Sequence, residues 1–233
     1  MTQPRPTIVF DLDGTLADTA PDIVATLNVV LSSLGHAPLP DERATKLIGA
    51  GARALLAEGL TAVGESYDSE RLDTLFTKFL MHYEANIANK TQLYPGVLNA
   101  LERLAREGFP VAVCTNKMEA HSKLLLEKLG IDNHFGAICG RDSFPYFKPD
   151  ARHLTMTIAQ SGGDESHAIM VGDSRTDIDT ARNAGLPVIG VTFGYSDTPI
   201  HSLNPDLLIE HYDHLYEAVV TLAHNPLHFP KKM

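Results

Sequence analysis

Two carboxylates stand two positions apart where an apolar run ends, in the stretch Ile8-Val9-Phe10-Asp11-Leu12-Asp13-Gly14-Thr15-Leu16. Further on, Thr115-Asn116-Lys117 follows a second apolar run, Lys148-Pro149 precedes a helical pattern, and Gly172-Asp173-Ser174-Arg175-Thr176-Asp177 follows another run. Ligands of an open α/β sheet gather at the carboxyl ends of its strands. At least four carboxylates and one lysine are therefore expected along one edge. Carboxylates about 4 Å apart repel by about 4 kcal/mol per ionised pair at an effective dielectric near 20, so something positive must offset them. Oxygen-only donors favour a hard divalent ion, and Mg2+ takes one or two carboxylates while accepting oxygen from a substrate phosphate. The pattern points to magnesium and phosphate.

The elements that must position these groups follow from periodicity. Short apolar runs at 111–114, 137–139, 168–171, 188–191 and 207–209 alternate with amphipathic patterns at 97–107, 119–129, 151–161 and 176–184. Several of the latter are closed by Gly108, Gly130, Gly162 or Gly185. Alternating β and α segments imply a doubly wound α/β core with a parallel sheet. Residues 17–90 carry helical patterns and no convincing β run, which predicts an inserted helical domain, with Tyr94-Pro95-Gly96 marking the return to the core. The expected division is thus 1–16 and 91–233 for the core and 17–90 for the insert.

Composition narrows the class. A chain of 233 residues can bury one sizeable core and carry a smaller accessory domain. Its 19 basic and 29 acidic residues give a net charge of −10 with no long basic run, which disfavours nucleic acid as a partner. No stretch approaches the roughly 18 uninterrupted apolar residues of a membrane span, and no apolar leader precedes the first strand, so a cytoplasmic location is expected. Cys114 and Cys139 lack metal or redox spacing and read as buried, reduced thiols. The histidines show no metal-binding spacing, and His211 and His214 read as structural or solvated.

The strings Asp11-Leu12-Asp13-Gly14-Thr15, Thr115-Asn116, Lys148-Pro149 and Gly172-Asp173-Ser174-Arg175-Thr176-Asp177, in this order, resemble the four motifs of the haloacid dehalogenase-like hydrolases. That resemblance implies a Rossmann-like core with residues 17–90 as a helical cap. It implies that Asp11 is the nucleophile that forms an aspartyl-phosphate later hydrolysed by water. Asp13, on the same face of the extended chain, would act as general acid and then general base, with its backbone carbonyl on the metal. Lys148 would neutralise charge at the phosphoryl group. Thr115 and Asn116 would meet phosphate oxygens, Asp173 would be the second carboxylate on Mg2+, and Asp177 would orient the metal's waters or Lys148.

Substrate choice is expected to lie with the cap, where Leu47-Ile48-Gly49-Ala50-Gly51-Ala52-Arg53 combines glycines that allow close backbone approach with an arginine able to engage a small carboxylate. Together with Val113-Cys114-Thr115-Asn116-Lys117 and Phe193-Gly194-Tyr195-Ser196-Asp197, this string is similar to bacterial phosphoglycolate phosphatases. The resemblance implies that 2-phosphoglycolate is hydrolysed to glycolate and phosphate, with Gly49 and Arg53 contacting the substrate. Pyrophosphate, sugar phosphates or a β-phosphoglucomutase-like transfer are the alternatives on the same core, and a catalytically silent metabolite- or partner-binding protein is the alternative of another class. The expected partner is a small phosphorylated metabolite, and the chain is expected to be a monomer or a homodimer.

Overall fold

A computed structural model describes residues 5–45, 48, 51–196 and 198–225, apart from the side chains of Glu42 and Arg43. In chain order the elements are β1 (Thr7–Phe10), β2 (Ala17–Asp18), α1 (Ala20–Ser33), α2 (Asp41–Thr45), α3 (Ala52–Ala62), α4 (Ser69–Ala85), β3 (Gln92–Leu93), α5 (Val97–Arg106), β4 (Val111–Cys114), α6 (Glu119–Lys128), β5 (Ala137–Cys139), α7 (Ala151–Gln160), β6 (Ala168–Gly172), α8 (Arg175–Asn183), β7 (Val188–Val191), β8 (Leu207–Ile209) and α9 (Leu215–Ala223).

The long strands are apolar throughout because both of their faces are covered. Every residue of β1, β4, β6 and β7 is buried, the pattern of a parallel sheet sandwiched between helices. The sheet runs β5-β4-β1-β6-β7-β8, all parallel, with Phe10 opposite Val113 on one side and Val171 on the other. The connection leaves β1 for β4 and β5 and then returns to β6 on the other side of β1. A crevice therefore opens at the carboxyl ends of β1 and β6, where the strand order reverses. The expected doubly wound α/β core is present. The amphipathic patterns end within a residue of the helices they predicted, because glycines in the left-handed region close them.

Helices α1 to α4 form the predicted helical segment, with α1 packed against α2, α3 and α4. Leu27, Leu31, Leu56, Leu60 and Phe79 are fully or almost fully buried and join the apolar cluster that also holds Phe10 and Val113. In one respect the expectation for 17–90 is corrected: β2 pairs antiparallel with β3, Ala17 opposite Leu93 and Asp18 opposite Gln92. Two-residue strands carry no alternation to read, and their pairing joins distant parts of the chain. Beside this ribbon, Asp22 accepts hydrogen bonds from the backbone N–H of Lys90 and from both the N–H and the hydroxyl of Thr91, tying the start of α1 to the strand that leaves the helical segment. Cys114 and Cys139 are buried free thiols that face each other in register across β4 and β5.

Candidate active site

Asp11 leaves β1 directly into the crevice. Its Oδ1 accepts the N–H of Leu12 at 2.7 Å and lies 2.9 Å from Lys148 Nζ, so among the described residues Oδ2 is the oxygen without a donor. Lys148 is 2% exposed and also donates to Asp177 Oδ1 at 2.6 Å. The other oxygen of Asp177 accepts the N–H and hydroxyl of Ser174, closing a capping box on α8, so one carboxylate both starts that helix and holds the lysine. Asp173, at the end of β6, accepts the Thr15 hydroxyl at 3.0 Å and the Tyr195 N–H at 2.8 Å.

Three glycines let these carboxylates approach. A Cβ on Gly14, whose φ is +81°, would stand 2.5 Å from Asp173 Oδ2, and one on Gly194 would stand 2.2 Å from Asp173 Cβ. A Cβ on Gly172 would meet Asp177 Cβ at 2.3 Å. Only the absence of a side chain makes this packing possible, and the positive φ at Gly14 reinforces the requirement.

The electrostatics are those of a site short of positive charge. One oxygen each from Asp11, Asp173 and Asp177 lie within 4.8 Å of one another, and all three residues are buried. Burial pushes the Asp11 carboxyl up to about 6, Lys148 working against that and Asp177 and Asp13 adding to it. Burial, then Asp177 and Asp11, raises Asp173 well above the carboxylate range. Burial opposes the charge on Lys148, but Asp11 and Asp177 more than offset it and hold the ammonium above the usual lysine range. When all three carboxylates ionise against the one ammonium, two negative charges remain in a buried, oxygen-donating cluster, which fits a hard divalent cation.

The other expected residues fall as follows. Asp13 stands outside this cluster: Lys117 Nζ donates to both its oxygens, at 2.9 and 3.2 Å, and lies 4.5 Å from the centre of the Tyr83 ring on α4. The Asp13–Lys117 pair, formed across 104 positions, was not legible in the sequence, and neither was the packing of Tyr83 against it. Thr115 is buried, and its Oγ1 accepts the N–H of Lys117 at 3.3 Å, leaving the hydroxyl proton free to donate. The Asn116 amide donates to the Lys148 carbonyl at 3.1 Å, so its side chain fixes the loop that carries the lysine. Arg53 lines the same cleft, but its guanidinium pairs with Asp73 and lies 5.8 Å from the centre of the Phe76 ring. Gly49 lies outside the described residues.

Above the cluster is a cleft of about 630 Å³, its floor carrying Asp11, Asp13, Lys148 and Asp173 and its opposite wall carrying Leu72, Phe76, Leu80 and Tyr83 from the helical segment. Tyr195 joins the floor to the ribbon and the start of α1: its N–H holds Asp173 while its hydroxyl donates to Asp18 and accepts the N–H of Ala20. The sequence pattern assigns Tyr195 no role, because the link depends on where the 193–196 loop folds back.

A parallel sheet in this order, with a buried lysine among three carboxylates at the switch point, is the arrangement of a Rossmann-like hydrolase of the haloacid dehalogenase type. The sequence profile described as "Haloacid dehalogenase-like hydrolase" matches residues 8–191, and the chain belongs to that family. Among similar proteins, a phosphoglycolate phosphatase of Mesorhizobium japonicum is 46% identical over 211 residues, spanning 91% of this chain and 93% of the relative. One from Agrobacterium fabrum is 44% identical and spans 92% of each. A crystal structure described as a predicted phosphoglycolate phosphatase from Haemophilus somnus superposes with a TM-score of 0.87 at 30% identity, over 94% of this chain and 99% of that one.

Proposed function

We propose that the chain hydrolyses 2-phosphoglycolate to glycolate and phosphate, through a phosphoryl group carried on Asp11. The chemistry is supported above all by the buried cluster of Asp11, Asp173, Asp177 and Lys148 with its two uncompensated negative charges. The substrate is supported by the full-length relatives that bear that activity in their names. Asp11 and Asp173, with the Asp13 carbonyl, would hold Mg2+, which when bound draws charge from the phosphoryl oxygens and lessens their repulsion of the incoming carboxylate.

Asp11 is fixed at Oδ1 by Leu12 and Lys148, which leaves Oδ2 to form the bond to phosphorus. As the bond from phosphorus to the leaving oxygen breaks, Asp13, having released one oxygen from Lys117 and taken up a proton from solvent, passes that proton to the leaving oxygen, and glycolate departs. Asp13 then takes a proton from a water whose oxygen attacks phosphorus, and the bond to Asp11 breaks to release phosphate. Lys117 holds Asp13 within the cleft and Lys148 stays cationic against the phosphoryl charge. Thr115 would donate its free hydroxyl proton to a phosphoryl oxygen. Asp177 positions Lys148. Residues 17–90 would serve as a cap, closing the apolar wall of Leu72, Phe76 and Leu80 over the cluster and excluding water. Arg53 and Gly49 belong to the segment that would meet the substrate. We place the enzyme in the cytoplasm; no described helix is long and apolar enough to cross a membrane.

Phosphate release across a panel of phosphate esters, ranked by kcat/KM with and without Mg2+, tests this reading. The expected leader is 2-phosphoglycolate, with Asp11→Asn losing at least about three orders of magnitude in kcat while its circular dichroism is unchanged. Turnover surviving in that variant removes Asp11 from its role.

A further inference from the structure

The cations that line the cleft are mostly occupied. Lys148 is held by Asp11 and Asp177, Lys117 by Asp13, and Arg53 by Asp73. Arg175 is exposed and donates to the Thr198 hydroxyl at 3.4 Å. Arg141 differs: it lines the cleft, is half-buried, and has no carboxylate partner among the described residues. Burial alone pulls its pKa down, with no acid opposing the shift. A partly dehydrated guanidinium without a counter-charge can still take a ligand's negative charge.

The surroundings fix its orientation and its place on the cleft wall. The guanidinium carbon lies 3.7 Å from the centre of the Phe147 ring, a stacking that holds its plane and leaves the N–H edges for hydrogen bonding. The backbone N–H of Arg141 donates to the carbonyl of Lys117 at 2.9 Å, tying it to the loop that carries Thr115 and Asn116. Arg141 Nη1 and the carbonyl oxygen of Asn116 each lie 3.8 Å from the point that a Cβ on Gly51 would occupy. The guanidinium, the 115–117 loop and the start of α3 therefore meet at one place on the cleft wall.

We propose that Arg141 receives the carboxylate of the leaving group and is the residue that makes the site prefer phosphate esters bearing an acid close to the phosphate. The assignment rests on the phosphatase reading above and adds the residue that selects among esters. The phosphoryl end lies at Asp11, Thr115 and Lys148; the carboxylate end is taken by the fork of Arg141 in a paired hydrogen bond that a lysine reproduces only in part.

Two matched pairs of substrates test it: 2-phosphoglycolate against ethyl phosphate, and 3-phosphoglycerate against glycerol 3-phosphate, with kcat/KM measured for the wild-type chain, Arg141→Met, Arg141→Lys and Arg53→Ala. In Arg141→Met the preference for the carboxylated member of a pair is expected to fall about 10- to 100-fold, the range of one lost charge-assisted contact, and in Arg141→Lys by less. Methionine keeps contact with Phe147, and an unchanged melting temperature shows that the fold is retained. A wild-type preference for 3-phosphoglycerate over 2-phosphoglycolate that depends on Arg141 would support the inference while removing the assigned substrate. A ratio that does not move in the Arg141 variants, a ratio that collapses in Arg53→Ala instead, or a wild-type chain with no preference in either pair would overturn it.

Discussion

Replacing Asp173 by asparagine is expected to stabilise the metal-free protein while abolishing its response to magnesium. Asp173 is 3% exposed, and its partners, the Thr15 hydroxyl and the Tyr195 N–H, are neutral. Asp11 and Asp177 share the single charge of Lys148, so together the three present about one net negative charge to Asp173 across no more than 4.8 Å. At an effective dielectric of about 20 that repulsion is about 3 kcal/mol, and partial protonation of the raised Asp173 carboxyl reduces it. Asparagine keeps both hydrogen bonds, its amide oxygen accepting from Tyr195 and its amide nitrogen donating to the Thr15 oxygen. The expected gain is therefore about 1–3 kcal/mol, read from urea unfolding near neutral pH in the presence of a chelator. With excess magnesium the wild-type chain should gain about 2.7 kcal/mol at a hundredfold excess over Kd, and the variant little or nothing. A variant less stable than wild type by about 1 kcal/mol in chelator, or an equal magnesium shift in both proteins, would refute the charge argument.

Three further outcomes follow from the same geometry. Lys148→Met leaves buried carboxylates without their ammonium and should cost about 3–5 kcal/mol of stability in chelator, together with most activity. A smaller loss in urea unfolding would mean that the cluster relaxes into water. Burial holds His153 down at about 4, with Lys148 adding to the effect, and its Nδ1 has no hydrogen-bond partner among the described residues, so the folded protein resists its protonation. An unfolded histidine titrates near 6.5, so this contribution is complete above that pH and is lost as pH falls from about 6.5 to 4, by about 3 kcal/mol in all. His153→Asn should remove that part of the slope, and an unchanged pH profile of unfolding would exclude His153 as its source. Gly194→Ala drives a methyl group into Asp173 and should weaken magnesium activation about tenfold or more, measured as the magnesium concentration for half-maximal activity.

How far the sequence could be read depended on the range of the interaction concerned. The strands 111–114, 168–171 and 188–191 were legible because a doubly covered strand is apolar at every position, the edge strands 137–139 and 207–209 as short apolar runs between polar loops, and the helices because glycine must stop them where the backbone turns left-handed. Asp11, Asp173, Asp177 and Lys148 were legible as a group because each stands next to an apolar run or a helix start, and the sheet then brings those ends together. Asp177 turned out to be the cluster's third carboxylate, whereas Asp13 gave its own to Lys117. Spacing alone treats the two acids alike, and the lysine that separates them comes from another strand's exit. The ribbon of β2 and β3 escaped reading because two residues show no period.

The order of apolar runs, the glycines that end helices and the acids placed at strand exits are local properties, and the sequence by itself determined from them the parallel core, the helical segment and the acidic character of the crevice. Charge balance is a property of the folded neighbourhood. Only tertiary structure decided that Lys148 serves two acids, that Lys117 serves Asp13, that Asp73 occupies Arg53 and that Arg141 has no counter-charge among the described residues. Electrostatic pairing depends on separation in space and on the exclusion of water, and neither is fixed until distant segments have packed.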